Sequence, residues 1–494
     1  MMFLVTRLLM EAYRGFNRYQ AQRAWRRRAY YLSFCTFCVV SMLLASCSRG
    51  DATNQQAGTT TTPTTITLQE AQASIAHTWD DWLDYHHDTT HNGYLSSAPD
   101  PQQLINAWTT SLNGAVYAEP LMVKGHVIVA TEGDTLYSLD PQTGKVIWQT
   151  NVGTPIPHTS LPCGDIDPLG ITGTPVYDPA TGLVFAVAEI SGPHHILVGL
   201  DVSTGKVKMQ YSVDVAGMDS VAHQQRAALV LSHGMVYVAY GGLAGDCSDY
   251  RGTVVAVPTS GKGAIYSFRV PTPREGGIWG PSGPAVDSAG NIYVSVGNGE
   301  VTHGAWDHSD SVLRLSPQLK LEDGFAPSNW QAENSSDADL GSIGPVLLPD
   351  GLVFVAGKDG KGYVLHANAL GGVGGQIAET QICNGLAMGG AALVGSQVLV
   401  PCTDGVRLVT IKPNGQMSIG WHASDMTLPP IVGGHTVYGL NTKGMLFAAD
   451  LNSGQVRISL NTSAQIPSFS TPTLSGRSLF FGTDNGVAAV TFAP

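Results

Sequence analysis

Residues 120–148 read PLMVKGHVIVATEGDTLYSLDPQTGKVIW, and this stretch decides the fold. It holds four short apolar runs separated by turn residues. A first run ends at the Gly125 turn, VIVAT runs to an Glu132-Gly133-Asp134 turn, LYSLD runs to a Thr143-Gly144-Lys145 turn, and a last run closes on Trp148. Apolar alternation between Gly and Asp turns is the pattern of an antiparallel meander. The same grammar returns along the chain. Pro175 to Val207 carries VFAVAE and LVGLDVSTGKV, and Ala228 opens MVYVAYGG and GTVVAVP. Pro284 opens NIYVSVGNG and SVLRLSP, Pro345 opens LVFVAGKDGKGYVL, and Ala391 opens QVLVPCTDGVRLVTIKPNG. Pro430 opens TVYGLNTKGMLFAADLNSGQV, and Pro472 opens SLFFGTDNGVAAV.

These make about eight units of roughly 40–60 residues, the spacing of propeller blades. The sequence therefore predicts an all-β fold, an eight-bladed β-propeller of four-stranded antiparallel blades. The last unit stops at Pro494 before any outer strand, and Ile105–Leu112 (INAWTTSL) supplies the missing one, with Trp108 where other units carry Trp148 or Trp421. A ring closed by an N-terminal strand removes the free sheet edges that invite pairing with other chains.

Composition agrees. Of 494 residues only 13% are charged, with 58 Gly and 28 Pro, which suits short strands and tight turns better than solvated helices. Seven of the 26 Lys and Arg and one of the 38 Asp and Glu fall within the first 46 residues, leaving the remainder at about −18. Such an acidic body argues against nucleic-acid binding, which needs basic surface to displace counterions.

The N-terminus reads as an export and anchor signal. Arg26-Arg27-Arg28 precedes an apolar run from Ala29 to Ala45 that ends in Leu44-Ala45-Ser46-Cys47. This resembles a bacterial lipobox, which makes Cys47 the acylated residue and the membrane a partner through its lipid. The run is short for a retained membrane span. Residues 1–46 are then a lipoprotein signal peptide, 47–76 a Thr-rich tether that includes GTTTTPTTIT at 58–67, 77–101 a lead-in, and 102–494 the propeller, on the extracytoplasmic face of the cell envelope. The tether cannot bury enough apolar area to fold.

Four cysteines lie in the body: Cys163, Cys247, Cys383 and Cys402. An even number in an exported chain predicts up to two disulfides with three possible connectivities. The expected pairing is Cys383–Cys402, close in sequence within one unit, with Cys163–Cys247 following by elimination. No CxxCH occurs, so no covalent haem is expected.

The repeat resembles that of pyrroloquinoline-quinone (PQQ) proteins over roughly Asp81 to Pro494. The middle units are most similar to PQQ-dependent alcohol dehydrogenases, especially the polyvinyl-alcohol dehydrogenase type. Asp246-Cys247-Ser248-Asp249-Tyr250-Arg251-Gly252, Gly277-Ile278-Trp279-Gly280-Pro281 with Val296-Gly297-Asn298-Gly299, Asp337-Ala338-Asp339-Leu340-Gly341, and Ala356-Gly357-Lys358-Asp359-Gly360 carry the likeness. The resemblance implies PQQ and Ca²⁺ as cofactors. It puts Trp279 under the quinone, Asn298 and Glu189 on the calcium, Asp339 as both metal ligand and base for the alcohol proton, and Lys358 beside the quinone carbonyls. Oxygen ligands of this kind suit a hard cation. Taken one at a time, each residue has a structural alternative. Trp279 also suits blade packing, Asn298 and Asp339 suit turn caps, and Lys358 and Glu189 suit solvated loops.

The chain departs from the family in lacking an adjacent Cys pair, since Asp246 precedes Cys247. That departure, together with the lipobox and the absence of a haem motif, favours a binding module for a protein or small-molecule ligand, like the lipid-anchored propellers of outer-membrane protein assembly. The dehydrogenase is the alternative. His86, His87 and His91 are expected to decorate the lead-in without a ligand role. The segment Cys163-Gly164-Asp165-Ile166-Asp167 resembles a calcium-loop fragment but lacks EF-hand length, and Arg274 suits either an acidic ligand group or a surface ion pair.

Overall fold

The structure, a computed structural model, describes residues 79–493. The signal, Cys47 and all of the tether lie outside the described residues. Eight sheets form the ring. Blade 1 pairs Leu121–Val123, His126–Thr131, Thr135–Leu139 and Val146–Asn151 in sequence order. Blades 2 to 7 begin at Val176, Val230, Ala285, Val346, Ala392 and Ile431 and repeat this up-and-down order. Blade 8 takes Thr473–Ser475, Ser478–Thr483 and Gly486–Ala493 from the C-terminus and Gln103–Ser111 from the front of the chain. Leu104 stands opposite Phe492 and Trp108 opposite Ala489, so the ring closes as the sequence predicts. In blade 1 the strands His126–Thr131 and Thr135–Leu139 are buried on both faces against neighbouring blades, while the outer strand Val146–Asn151 alternates exposed and half-buried.

Neighbouring blades are latched by the outer-strand tryptophans. Trp108 Nε1 donates to Pro141 O at 3.0 Å, Trp148 Nε1 to Val202 O at 2.9 Å, and Trp421 Nε1 to Leu451 O at 2.8 Å. Each acceptor follows an Asp (Asp140, Asp201, Asp450) whose carboxylate accepts from backbone N–H groups of the same turn. The turn glycine lies under the indole. Gly205 has φ of 69°, and a Cβ there would stand 2.6 Å from the Trp148 ring. Thr110 and Thr150 hydroxyls donate to the carbonyls of Gly144 and Gly205, both at 2.7 Å. Blade 2 uses Tyr211 in the same way, donating to Gly261 O at 2.6 Å.

The lead-in crosses the face formed by the turns after each blade's first strand. Trp82 bridges to Met122 in blade 1, the Leu83 carbonyl accepts from Tyr177 N in blade 2, Thr89 O from Val286 N in blade 4, and Asn92 O from Leu393 N in blade 6. His86 is no surface decoration. It is fully buried, with Nε2 3.0 Å from Thr471 Oγ1 and Nδ1 3.1 Å from Ala391 O, and burial lowers its pKa to about 3. Both expected disulfides form, Cys383–Cys402 with Cα atoms 5.6 Å apart and Cys163–Cys247 with Cα atoms 6.2 Å apart. A seven-residue helix, Trp330–Ser336, sits between blades 4 and 5, where the sequence reading had none. No described helix is long and apolar enough to cross a membrane.

The latch is testable. Gly205→Val forces a β-branched residue into the left-handed region and into the Trp148 ring, and should cost about 2–4 kcal/mol in urea unfolding. Trp148→Ala should destabilise by a comparable amount. Unchanged midpoints in both variants would show that the latch contributes nothing.

Candidate functional site

At the end of the ring opposite the lead-in, turns and inter-blade connections enclose a cavity of ≈ 340 Å³. Its lining includes Arg226, Asp246, Trp279, Asn298, Lys358 and Phe469. Trp279 lies between blades 3 and 4, and it gets there because Gly241 has no side chain: a Cβ on Gly241 would stand 2.5 Å from the Trp279 Cβ. Asn298 follows strand Ile292–Val296 of blade 4, and its carbonyl accepts from Gly276 N at 2.7 Å, which ties it to the Trp279 loop. Lys358 sits in the blade 5 turn after Leu352–Ala356.

Lys358 Nζ is 5.1 Å from the Trp279 ring centroid, 3.0 Å from Asp339 Oδ2 and 2.5 Å from Asp337 Oδ1. Asp339 follows the short helix and is fully buried. Its Oδ1 accepts from Gly341 N at 2.6 Å, and its main-chain carbonyl accepts from Lys358 N at 2.9 Å. Burial raises the Asp339 pKa above the usual carboxylate value, and Lys358 offsets this only in part. Burial would depress Lys358, but Asp339 and Asp337 outweigh it and keep the ammonium charged. Behind this pair, Asp310 is fully buried and accepts from Leu340 N at 2.9 Å, which fixes the Asp339 loop. Trp279, Asn298, Lys358 and Asp339 are thus brought together by three successive blades.

Glu189 is placed differently. It is the penultimate residue of the second strand of blade 2, Leu183–Ile190, is fully buried, accepts from Gln225 N at 2.7 Å and lies 3.4 Å from His195 Nε2. His195 Nδ1 is 2.7 Å from Asp214 Oδ1. Burial alone lowers the His195 pKa, but Asp214 and Glu189 together raise it to about 9. Nearby, burial pushes Glu132 and Asp134 each up to about 8.

Three cavity features escaped the sequence reading. Asp246, quoted there without a role, lines the cavity and accepts from Tyr250 Oη at 2.5 Å. Arg226 is a lone cation immediately before the apolar run Ala227–Leu231, a signal that was readable. Phe469 lies in a Ser-rich loop with no signal at all. The disulfide Cys163–Cys247 stands behind the wall formed by residues 243–246, and a Cβ on Gly245 would be 3.5 Å from Cys163 Sγ. Arg274 pairs with Glu275 and donates to Asp246 O at 3.0 Å and Ser248 O at 3.2 Å, so it braces this same wall.

An aromatic floor, a charged Lys above it and oxygen donors from Asn298 and Asp246 match a planar quinone and a hard cation in chemical type, with Asp339 buried behind the Lys. Among the described residues, no three His, Cys, Asp or Glu side chains gather as a metal-binding group.

The chain is an eight-bladed β-propeller of four-stranded antiparallel sheets whose repeats are similar to those of PQQ proteins. Residues 105–311 match the family model of the outer membrane protein assembly factor BamB. The polyvinylalcohol dehydrogenase of Sphingopyxis sp. (strain 113P3) is 24% identical over 363 residues, which cover 64% of this chain and 52% of that protein. The chain therefore spans about half the length of this curated relative. Among solved structures, the quinohemoprotein alcohol dehydrogenase of Comamonas testosteroni superposes with a TM-score of 0.65 at 16% identity, over 83% of this chain and 80% of that one. BamB from Moraxella catarrhalis superposes with a TM-score of 0.55 at 14% identity, over 79% of this chain and 100% of that one. These structural likenesses concern the fold.

The pKa values of about 9 for His195 and about 8 for Glu132 and Asp134 fix the sign of a pH effect. All three are raised on folding, so the native state binds more protons than the unfolded one and stability falls as pH rises. The Glu132 and Asp134 contributions are complete below about 4 and lost through about 8. That of His195 is complete below about 6.5 and lost through about 9. The melting temperature should therefore fall between about pH 6 and pH 9, and Asp134→Asn should flatten that fall. A flat or rising wild-type curve would contradict the assignment.

Proposed function

We propose that the cavity over Trp279 is a quinone site, and that the protein is an extracytoplasmic PQQ- and calcium-dependent dehydrogenase oxidising an alcohol or sugar. The observation that carries this reading is the meeting of Trp279, Lys358 and Asn298 at one cavity, from separate blades, with Asp339 buried against Lys358 just behind the wall. The likeness to a polyvinylalcohol dehydrogenase supports it. Trp279 offers its face to a flat ring. Lys358 stays charged and stabilises negative charge that develops on an oxygen beside it. Asp339, held by Gly341 N and Lys358, accepts the substrate hydroxyl proton, and its raised pKa brings it nearer the range of an effective general base. Asn298 and Asp246 supply neutral and anionic oxygen donors for a calcium ion. Bound PQQ would supply the two-electron acceptor. The lipobox at Cys47 supports attachment of the domain to a membrane, with the Thr-rich segment as its spacer.

A second reading, a non-catalytic module that binds a protein or small-molecule ligand, is favoured by one observation. The Glu189 carboxylate is committed to His195 and Gln225 N, which leaves the implied calcium set short of one carboxylate.

Adding PQQ with CaCl₂ should raise the wild-type melting temperature and give dye-linked oxidation of a primary or secondary alcohol. Asp339→Asn should keep the thermal shift but lower kcat by about 10²-fold or more, while Trp279→Ala should lose the shift. No shift and no turnover in the wild type would leave the binding-module reading.

A further inference from the structure

The lead-in does not treat the eight blades alike. In blades 1, 2, 4, 6 and 7 its carbonyls accept from a first-strand N–H, at Met122, Tyr177, Val286, Leu393 and Val432, over 2.7–3.1 Å. In blade 7 it adds a parallel strand, Tyr94–Leu95, beside Val432 and Gly433. In blade 8 the Ser475 hydroxyl donates to Asp80 O at 2.7 Å. Blades 3 and 5 are passed over. Among the described residues, no main-chain group of the lead-in hydrogen-bonds to Val230–Ser232 or Val346–Leu348. Thr89 and Asn92 carry the chain directly from blade 4 to blade 6. The middle residues of the two uncovered strands, Leu231 and Leu347, are half-buried, whereas Met122, Tyr177, Leu393 and Val432 are buried.

At blade 5 the uncovered edge opens on a groove of ≈ 560 Å³. Its walls include Tyr94 of the lead-in, Tyr293 of blade 4, Leu347, Leu348 and Leu352 of blade 5, and Leu393 of blade 6. A further ≈ 320 Å³ continues past Pro349 to Ile411. An uncovered strand edge over apolar side chains is the arrangement that accepts an added strand.

The chain ahead of the described residues contains a stretch of matching chemistry, Thr64-Thr65-Ile66-Thr67-Leu68. Its first four residues are β-branched, and Ile66 and Leu68, two apart, face one side of a strand. It carries no charge, and Pro63 precedes it, a residue tolerated at a strand's start. Too poor in apolar residues to fold alone, it needs an edge already built. It is also within reach. Trp79 packs beside blades 1 and 8, where a Cβ on Gly125 would stand 3.7 Å from its ring and the Phe480 centroid lies 6.1 Å away. Thr89, at blade 4, follows Trp82, at blade 1, by seven residues, so at most about 25 Å separates those contacts. Leu68 precedes Trp79 by eleven residues, which span up to about 36–40 Å.

We propose that Thr64–Leu68 of this same chain adds as a strand to the first strand of blade 5, with Ile66 and Leu68 in the groove. The lead-in face is then completed by the chain that leads to it, and only residues 48–63 remain as spacer behind Cys47. The proposal is independent of the quinone reading, and it draws on the lipobox only for what the spacer is tied to.

Hydrogen exchange of the full chain, read by mass spectrometry, tests it. Two adjacent prolines, Thr65→Pro with Ile66→Pro, remove a strand donor in either register. The Leu347 N–H should exchange at least about tenfold more slowly in the wild type than in this variant, while the Leu231 N–H exchanges at the same rate in both. Ile66→Asp with Leu68→Asp, which sets charges against the groove, should speed Leu347 exchange in the same way. Equal Leu347 exchange in the wild type and both variants overturns the proposal. So does protection that survives in the variants and grows with protein concentration, which would put a second copy on the edge. In a separate measurement, Ile66→Cys should form a disulfide with Leu347→Cys and not with Leu231→Cys. Equal yields from the two pairs contradict the assignment to blade 5.

Discussion

Everything in this molecule depends on the pairing of Gln103–Ser111 with Gly486–Ala493, the ends of one chain locked into a single blade. A ring of eight sheets has no edge only if the eighth sheet is complete. The closing strand does two jobs at once. It supplies the outer strand of blade 8, and through Trp108 and Thr110 it latches that blade onto the Asp140 turn of blade 1. The latch is the one used between blades 1 and 2 and between blades 6 and 7. Closure therefore uses the ordinary joint of the repeat. The lead-in just upstream crosses one face and joins the first strands of several blades, so one short N-terminal stretch both closes the ring and ties its blades together.

With the frame fixed, function falls to the connections. The turns of blades 3 to 5 and the segments between them carry Asp246, Trp279, Asn298, Asp339 and Lys358, and inward loops from the 2–3 and 7–8 connections add Arg226 and Phe469. None of these side chains is needed by the blade pattern itself. A buried carboxylate beside a charged lysine, an uncompensated guanidinium and an aromatic at positive φ all run against the local rules that the strands obey. Such departures gather where binding or chemistry is done.

Fold was legible because the repeat states it eight times, in alternation, turn glycines and recurring tryptophans. Blade number, ring closure and both disulfide pairs followed from residues that can be read in order along the chain. The latch was half legible: Trp108, Trp148 and Trp421 recur visibly, but their partners are carbonyls in the next blade, which no pattern announces. The site was legible only where a resemblance marked it, as at Trp279, Asn298, Asp339 and Lys358. Arg226 and Phe469 were missed because their meaning is a pairwise one. They lie some 240 residues apart in the chain and acquire significance only when the ring brings guanidinium and ring face to 4.4 Å. Glu189 illustrates the converse. Its residue type matched a ligand, but the neighbours that engage it, His195 and the main chain of Gln225, are set by the packing of blades 2 and 3. The short helix before Asp339 escaped notice because seven residues hold too little periodicity to read.

The most direct measurement is a crystal structure of the protein grown with PQQ and CaCl₂. The account predicts a planar density lying on the Trp279 face beside Lys358, with a cation bound near Asn298. Clear density for an empty cavity at saturating PQQ, or the quinone bound away from Trp279, would contradict it.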